Sequence, residues 1–232
     1  MQAIYDDMWR SAYPKIQQGN YTIDPCLSGQ EDRRRGMTVL SYLSQSTKLC
    51  NTISQFLDEI KSLEPEQYYY PVSDLHQTVL GIITCVDDFL LAGNERTAYC
   101  DVVRQALANI PEFTIRYQGI TLSDSCVILQ GFIDSDALEE TRQSLRKAFG
   151  EATLHSTMDA RYPIVTAHST IIRFKQTLRN EQKLLDLLER YRSFYFGDLK
   201  VSELVLVTND WYQKKENTEV LAHIPLQPVI GL

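Results

Sequence analysis

The sequence predicts an α+β fold, in which strands form antiparallel runs with helices between some of them. Apolar, β-branched segments typical of strands are mixed with amphipathic helices, without the strict alternation of a parallel α/β protein. A strand–helix–strand pattern also occurs twice, at 36–85 and again at 125–174, although no residue-by-residue repeat aligns. This recurrence indicates a weak internal duplication, and therefore a pseudo-duplicated fold.

Composition limits the classes of function. The chain has 232 residues and a net charge of −7. This charge argues against non-specific binding of duplex DNA, but not against binding a nucleotide or an RNA end. Five scattered cysteines without a CxxC pair indicate reduced thiols and a cytoplasmic protein. The start MQAIYDDMWR lacks the apolar segment of a signal peptide, and no apolar run is long enough to span a membrane. We expect no cofactor and no membrane partner, and the oligomeric state is not indicated.

The first part of the chain divides into an extension and the first repeat unit. Residues 1–35 are predicted to form an N-terminal extension, which is irregular apart from a short helix at YDDMW. This extension is expected to pack on a single domain formed by 36–232. The first unit then comprises a strand at 36–43, a helix and a strand from Leu75 to Cys85. Apolar residues at helical spacing from Leu49 to Leu63, with Pro65 beyond them, define that helix.

The remaining elements follow from the same criteria. Helices are predicted at Thr97–Ile110, Ser135–Phe149 and Glu181–Tyr195, and strands at Phe113–Tyr117, Ser125–Phe132, Ile164–Phe174, Leu199–Thr208 and Thr218–Ile224. The helix at 135–149 has Ser135 as its cap and Gly150 at its end.

Three of the four histidines are followed by threonine two residues later. His76-Gln-Thr78 and His168-Ser-Thr170 lie in apolar, β-branched segments, whereas His155-Ser-Thr157 lies in a polar, irregular segment. Residues i and i+2 of a strand point to the same face, so each strand histidine projects beside its threonine. We call 76–78 the first motif and 168–170 the second motif, and we expect His155 to be a loop residue outside the site.

Two such motifs facing one cleft suit the chemistry of phosphoesters. An attack at phosphorus needs a base for the nucleophile and an acid for the leaving oxygen, and histidine serves in either role near neutral pH. The hydroxyls of Thr78 and Thr170 can donate hydrogen bonds to the phosphate oxygens, where negative charge develops. This arrangement requires no metal, and histidine, cysteine and aspartate do not show the spacing of a zinc site.

The paired motifs, written as H-x-[ST]-x-hydrophobic, resemble the signature of the 2H phosphoesterase superfamily. That group includes bacterial 2′-5′ RNA ligase-like proteins and cyclic nucleotide phosphodiesterases, and the resemblance covers roughly residues 36–224. It implies a two-lobed fold, in which antiparallel sheets form a concave cleft and helices lie on the outside. Each lobe would contribute one His-x-Thr strand to the shared cleft, with His76 and His168 as acid and base and Thr78 and Thr170 as phosphate ligands. It also implies metal-independent hydrolysis of 2′,3′-cyclic phosphates, or making and breaking of 2′-5′ phosphodiesters, on a nucleotide or a short RNA.

Further substrate-binding residues are predicted around the motifs. Arg173 is similar to a basic residue that often follows the second motif in that superfamily. An unbroken strand, however, would point its side chain away from the cleft, where it could form a structural ion pair instead. Tyr70 and Tyr212 are candidates for stacking on a base or donating to phosphate, with core packing as the alternative. Tyr162, which precedes the second motif, has the same two interpretations.

Two other functions are compatible with the sequence. The first is a nucleotide-binding module that uses the same cleft without turnover, which an assay for turnover distinguishes from an enzyme. The second is an interaction domain with coincidental motifs, which predicts that His76 and His168 lie far apart. A third possibility concerns the assignment alone, namely that His155 rather than His168 is the second site histidine.

Overall fold

The computed structural model, which describes residues 1–160 and 163–229, confirms the α+β class and the two-lobed arrangement of antiparallel sheets. Its helices are α1 (Gln2–Gln17), α2 (Thr47–Leu63), α3 (Arg96–Leu107), α4 (Ala137–Glu151) and α5 (Glu181–Arg190). Its strands are β1 (Arg34–Tyr42), β2 (Tyr68–Tyr69), β3 (His76–Asp87), β4 (Phe113–Ser123), β5 (Cys126–Phe132), β6 (Ser169–Arg173), β7 (Tyr195–Val201), β8 (Glu203–Asp210) and β9 (Glu219–Pro225).

The two sheets have corresponding topologies. One sheet has the order β3-β1-β8-β9 and the other β2-β6-β5-β4-β7, and every ladder between these strands is antiparallel. The repeat units are β1-α2-β3 and β5-α4-β6, and in each unit the two strands are direct neighbours. The strands β3 and β6 also contact each other. The topology therefore brings the two strands that carry the motifs together where the sheets meet.

One continuous apolar core supports both sheets. It includes Val39 and Val79 from the first sheet and Ile115 and Leu129 from the second, all fully buried. Helix α2 shows how the amphipathic helices join this core: its buried stripe recurs at helical spacing and packs against β7 and α5. The members of that stripe are Leu49, Cys50, Ile53, Phe56, Leu57 and Ile60.

The N-terminal segment differs most from its sequence-based prediction. Helix α1 spans 16 residues, not the few expected in an irregular segment, and Pro14 lies within its last turn. Tyr5 and Ile16 are completely buried, and the backbone carbonyl of Tyr5 accepts a hydrogen bond from the Thr121 hydroxyl at 2.7 Å. Packing against β4 therefore stabilises a helix that its polar, turn-rich surroundings did not indicate.

Several element boundaries also differ. The predicted helix Glu181–Tyr195 ends at Arg190, and the predicted strand Leu199–Thr208 is two strands, because the chain passes from β7 in one sheet to β8 in the other at Ser202. The apolar alternation continues from β7 into β8, so the sequence pattern does not show where the chain passes from one sheet to the other. The predicted strand Ile164–Phe174 is regular only over β6, so the preceding residues from 163 to 168 are irregular.

Candidate functional site

The first motif lies at the start of β3. His76 and Thr78 are half-buried on the cleft side, whereas the intervening Gln77 is fully buried on the other side, as strand alternation requires. The Nδ1 atom of His76 lies 2.7 Å from the carbonyl oxygen of Asp74. A carbonyl only accepts hydrogen bonds, so Nδ1 carries the proton and Nε2 is the atom available for proton transfer.

The second motif lies at the start of β6, with His168 one residue before the strand. His168 and Thr170 are half-buried and Ser169 is buried, the same alternation as in the first motif. The Nδ1 atom of His168 lies 2.7 Å from the Thr166 hydroxyl, which can donate or accept. In both motifs the residue two positions before the histidine therefore orients its ring.

Both motifs line one cleft with a volume of about 520 Å³. The structure brings together six of the seven site residues predicted from sequence, which are His76, Thr78, His168, Thr170, Tyr70 and Arg173. Two imidazoles and two hydroxyls from different sheets therefore face the same space. Such a set can bind a phosphate group and transfer protons on both sides of it.

Arg173 points into the cleft despite its odd spacing from His168. The ladder between β5 and β6 is irregular at this point, since Val127 pairs with Ile172 but Ile128 pairs with Thr170, which leaves Ile171 as an extra residue. Such a bulge reverses the alternation that follows it. The Nε of Arg173 donates a hydrogen bond to the Tyr70 hydroxyl at 3.0 Å. Among the described residues, no carboxylate oxygen lies within the ion-pair distance of 4.0 Å from the Arg173 guanidinium. The structural ion pair that strand alternation suggested for Arg173 is therefore absent there.

The predicted aromatic residues have different positions. Tyr70 lines the cleft although only 2% of it is exposed, and its hydroxyl is held by Arg173. Tyr212 is buried and does not line the cleft, and its ring lies 5.6 Å from the Arg173 guanidinium. Its neighbour Trp211 lines the cleft instead and also lies next to Arg173. Tyr162 lies outside the described residues.

The surroundings of the two histidines differ in charge. Burial lowers the pKa of His168 to about 4, with further lowering by the charges of His76, Arg142 and Arg173. Burial also lowers the pKa of His76, and the charge of Arg173 lowers it further, but its hydrogen bond to the Asp74 carbonyl and the carboxylates of Asp74 and Asp210 oppose this shift. Positive charge alone therefore acts on His168, whereas carboxylates offset part of the effect of burial at His76.

Sequence reasoning missed several residues of the cleft. Ile4 and Met8 of α1 line it, as does Trp211, and Thr166 orients the ring of His168. Thr166 had a signal, since strand alternation places residue −2 on the same face as the histidine. The residues from α1 had none, because their position depends on how a separate helix docks.

His155 lies in the irregular segment after α4 and is exposed, and it does not line the cleft. Its backbone carbonyl accepts a hydrogen bond from the Tyr99 hydroxyl at 2.7 Å. Within residues 1–160 and 163–229, no cluster of three or more histidine, cysteine or acidic side chains is arranged to bind a metal ion. No helix in these same ranges has the length and apolar character needed to cross a membrane.

Comparison with known families agrees with this geometry. The model of the 2′-5′ RNA ligase superfamily matches residues 50–212, which include both motifs. The chain belongs to the 2′-5′ RNA ligase superfamily. Membership supports a phosphoesterase-type function, as expected from the resemblance of the two motifs to the 2H group. The sequence matches no curated protein.

Solved structures share the fold of this superfamily member at low sequence identity. A protein from Thermus thermophilus superposes with a TM-score of 0.56 at 15% identity, over 84% of this chain and 98% of its own. Escherichia coli LigT complexed with 3′-AMP has a TM-score of 0.53 at 14% identity, over 85% and 99% of the two chains. A conserved protein of unknown function from Agrobacterium tumefaciens has a TM-score of 0.53 at 17% identity, over 93% and 97%.

Proposed function

We propose that this protein is a metal-independent phosphoesterase that acts on 2′,3′-cyclic phosphates or 2′-5′ phosphodiester bonds of nucleotides or short RNA. The observation that carries the proposal is the convergence of His76 and His168, each with its threonine, on one cleft. Membership of the 2′-5′ RNA ligase superfamily supports the substrate class. The crystal structures of LigT with 3′-AMP and with phosphate supply a consistent precedent for such ligands in this fold.

The charge difference between the histidines suggests their roles. His168 is the group that stays neutral, so it accepts the proton of the attacking water as general base. The bond from phosphorus to one ribose oxygen then breaks, and His76 donates its Nε2 proton to that oxygen as general acid. Solvent returns the proton from His168 to His76. With a ribose 5′-hydroxyl in place of water and the 3′-oxygen of the cyclic phosphate as the leaving group, the same transfers join two nucleotides through a 2′-5′ bond.

The remaining cleft residues hold the phosphate. The hydroxyls of Thr78 and Thr170 donate to the non-bridging oxygens, where negative charge grows as the nucleophile attacks. Arg173 supplies a guanidinium group whose direction is fixed by its hydrogen bond to Tyr70. The remaining partners that we infer are soluble nucleotides and RNA ends. The five cysteines are all free thiols, which fits the cytoplasmic location that we infer.

A turnover assay with matched variants tests the proposal. The wild type is incubated with 2′,3′-cyclic nucleotides and 2′-5′ dinucleotides in excess chelator, beside His76→Ala, His168→Ala and, as the matched control, His155→Ala. We expect turnover by the wild type and the control, and a loss of about 10²-fold or more in each of the other two variants.

Other outcomes of this assay assign the protein differently. If the wild type binds these nucleotides but leaves them intact, it is the non-catalytic binding module. If His155→Ala is the damaging substitution, the second motif is misassigned. Loss of activity in chelator that added metal restores would contradict the metal-independent mechanism.

A further inference from the structure

The largest fully buried side chain of the described residues is a charged one, Arg142 of α4, with 1% of its surface exposed. Removing a guanidinium group from water costs several kcal/mol unless its N–H groups are hydrogen-bonded. Its nearest carboxylate, Glu139, is half-exposed and 3.9 Å away, so this ion pair lies at the edge of the buried region. The main partners of Arg142 are backbone carbonyls.

Those carbonyls belong to the two motif segments. Nε of Arg142 donates to the carbonyl of Val79 at 3.0 Å, and Nη2 donates to the carbonyl of Thr166 at 2.6 Å. Val79 directly follows Thr78 in the first motif, and Thr166 is the residue whose hydroxyl orients the ring of His168. A single planar group is therefore hydrogen-bonded to the segments of both motifs, through one carbonyl in each.

Neither carbonyl belongs to a regular β-ladder. Val79 is the extra residue of a bulge in β3, since Val39 pairs with Leu80 and Leu40 pairs with Thr78. Thr166 lies in the irregular segment before β6. At each of these irregular positions the forked guanidinium group of Arg142 supplies a buried hydrogen-bond donor, and this fork ties the two segments together.

We propose that Arg142 is a positioning residue, whose guanidinium group fixes the separation of the two motifs and, through Thr166, the orientation of the His168 ring. This inference rests on the proposed function, because the positions that it fixes are those of the proposed acid and base. Arg142 does not line the cleft, so it acts through the backbone and not on the substrate. Misplacement of such groups by about 1 Å lowers a rate by about 10²-fold.

The test compares Arg142→Met and Arg142→Lys with Lys147→Met, which removes an exposed charge from the same helix. The assay measures kcat and KM for a 2′,3′-cyclic nucleotide. We expect kcat to fall at least about tenfold in Arg142→Met and less in Arg142→Lys, which keeps the charge but not the fork. KM should change less than about threefold, because the substrate contacts remain. Lys147→Met should behave as the wild type.

A second readout does not require turnover. NMR of the histidine ring nitrogens in the unliganded protein should show a changed tautomer balance of His168 in Arg142→Met and unchanged signals in Lys147→Met. If the wild type hydrolyses no member of the substrate panel, the proposed function fails while this measurement still tests the positioning role. A folded Arg142→Met variant with wild-type kcat and unchanged His168 signals would overturn the inference.

Variants of a buried charge can fail to fold, so a third measurement uses the wild type alone. Hydrogen exchange of the Arg142 side-chain Nε–H should be as slow as that of core backbone amides, because the group is bonded to Val79 inside the protein. Exchange at the rate of an exposed arginine would show that the fork is not closed in solution, which would also overturn the inference.

Discussion

The two histidines of the cleft differ in the groups that surround them, although their motifs are alike. The carbonyl of Asp74 accepts a hydrogen bond from His76, and two carboxylates favour its protonated form against the positive charge of Arg173. A neutral hydroxyl holds His168, and every charge that acts on its pKa is positive. This asymmetry separates the acid from the base without any difference in residue type, as in other sites that place two like groups in unlike environments.

The pH dependence of the reaction follows from this asymmetry. We expect kcat/KM to be bell-shaped with its maximum between about pH 4 and 6.5. Below this range His168, whose pKa is about 4, becomes protonated and stops acting as a base. Above it His76, whose pKa lies below its usual 6.5, loses the proton that it must donate.

The same reasoning predicts that the kcat profile lies at higher pH than the kcat/KM profile. A bound phosphate anion stabilises both imidazolium forms and raises both pKa values in the complex. Measurement of both parameters from about pH 3 to 9, with His155→Ala as the control, checks this order. A kcat/KM that rises steadily to pH 8 would contradict the assignment of the two pKa values.

The strands that carry the motifs were predictable from sequence, because their apolar alternation and the His-x-Thr spacing have the same period. The bulge at Ile171 was not, since it depends on how β5 and β6 align, and it decides that Arg173 faces the cleft. The docking of α1 was also not predictable. Its buried residues are few and are widely spaced along a polar helix, so only their contacts with β4 and Gly131 reveal the helix's position.

Helix α1 should contribute to substrate binding through the side chains that it places in the cleft. Ile4 is 39% exposed and lines the cleft, so Ile4→Ser should leave the melting temperature nearly unchanged. We expect KM for a cyclic nucleotide to rise about fivefold, which corresponds to roughly 1 kcal/mol of lost apolar contact. Ala3→Ser, on the exposed side of the same helix, is the control. An unchanged KM for Ile4→Ser would show that the substrate does not reach α1.

The two lobes share one apolar core, and the extension is bonded to it. The Tyr5 hydroxyl of α1 lies 3.1 Å from the carbonyl of Gly131, in the strand next to the second motif. A side chain at Gly131 would collide with the Ala167 carbonyl. Only a glycine therefore lets β5 pack this closely against the backbone that precedes His168. We therefore propose that 1–35 and the domain unfold as one cooperative unit. The sequence predicts that the extension packs on the domain, but not the contacts by which it does so.

The two tryptophans of the chain allow a test of this cooperativity. Trp9 of α1 reports on the extension, where it stacks with the Arg192 guanidinium at 4.4 Å, and Trp211 reports on the cleft. In urea, Trp211→Phe and Trp9→Phe each leave one reporter. We expect each fluorescence transition to coincide with the far-UV circular dichroism of the same variant. A Trp9 signal that changes at lower urea would show that α1 detaches first.

The central claim is that His76 and His168 act as one acid–base pair, and comparison of three variants tests it most directly. Hydrolysis of a 2′,3′-cyclic nucleotide in chelator is measured for His76→Ala, His168→Ala and the double variant. Residues that act as a unit lose about as much singly as together, so we predict that all three variants fall by similar factors of about 10² or more. Near wild-type activity in either single variant, or losses that multiply in the double variant, would contradict the paired mechanism.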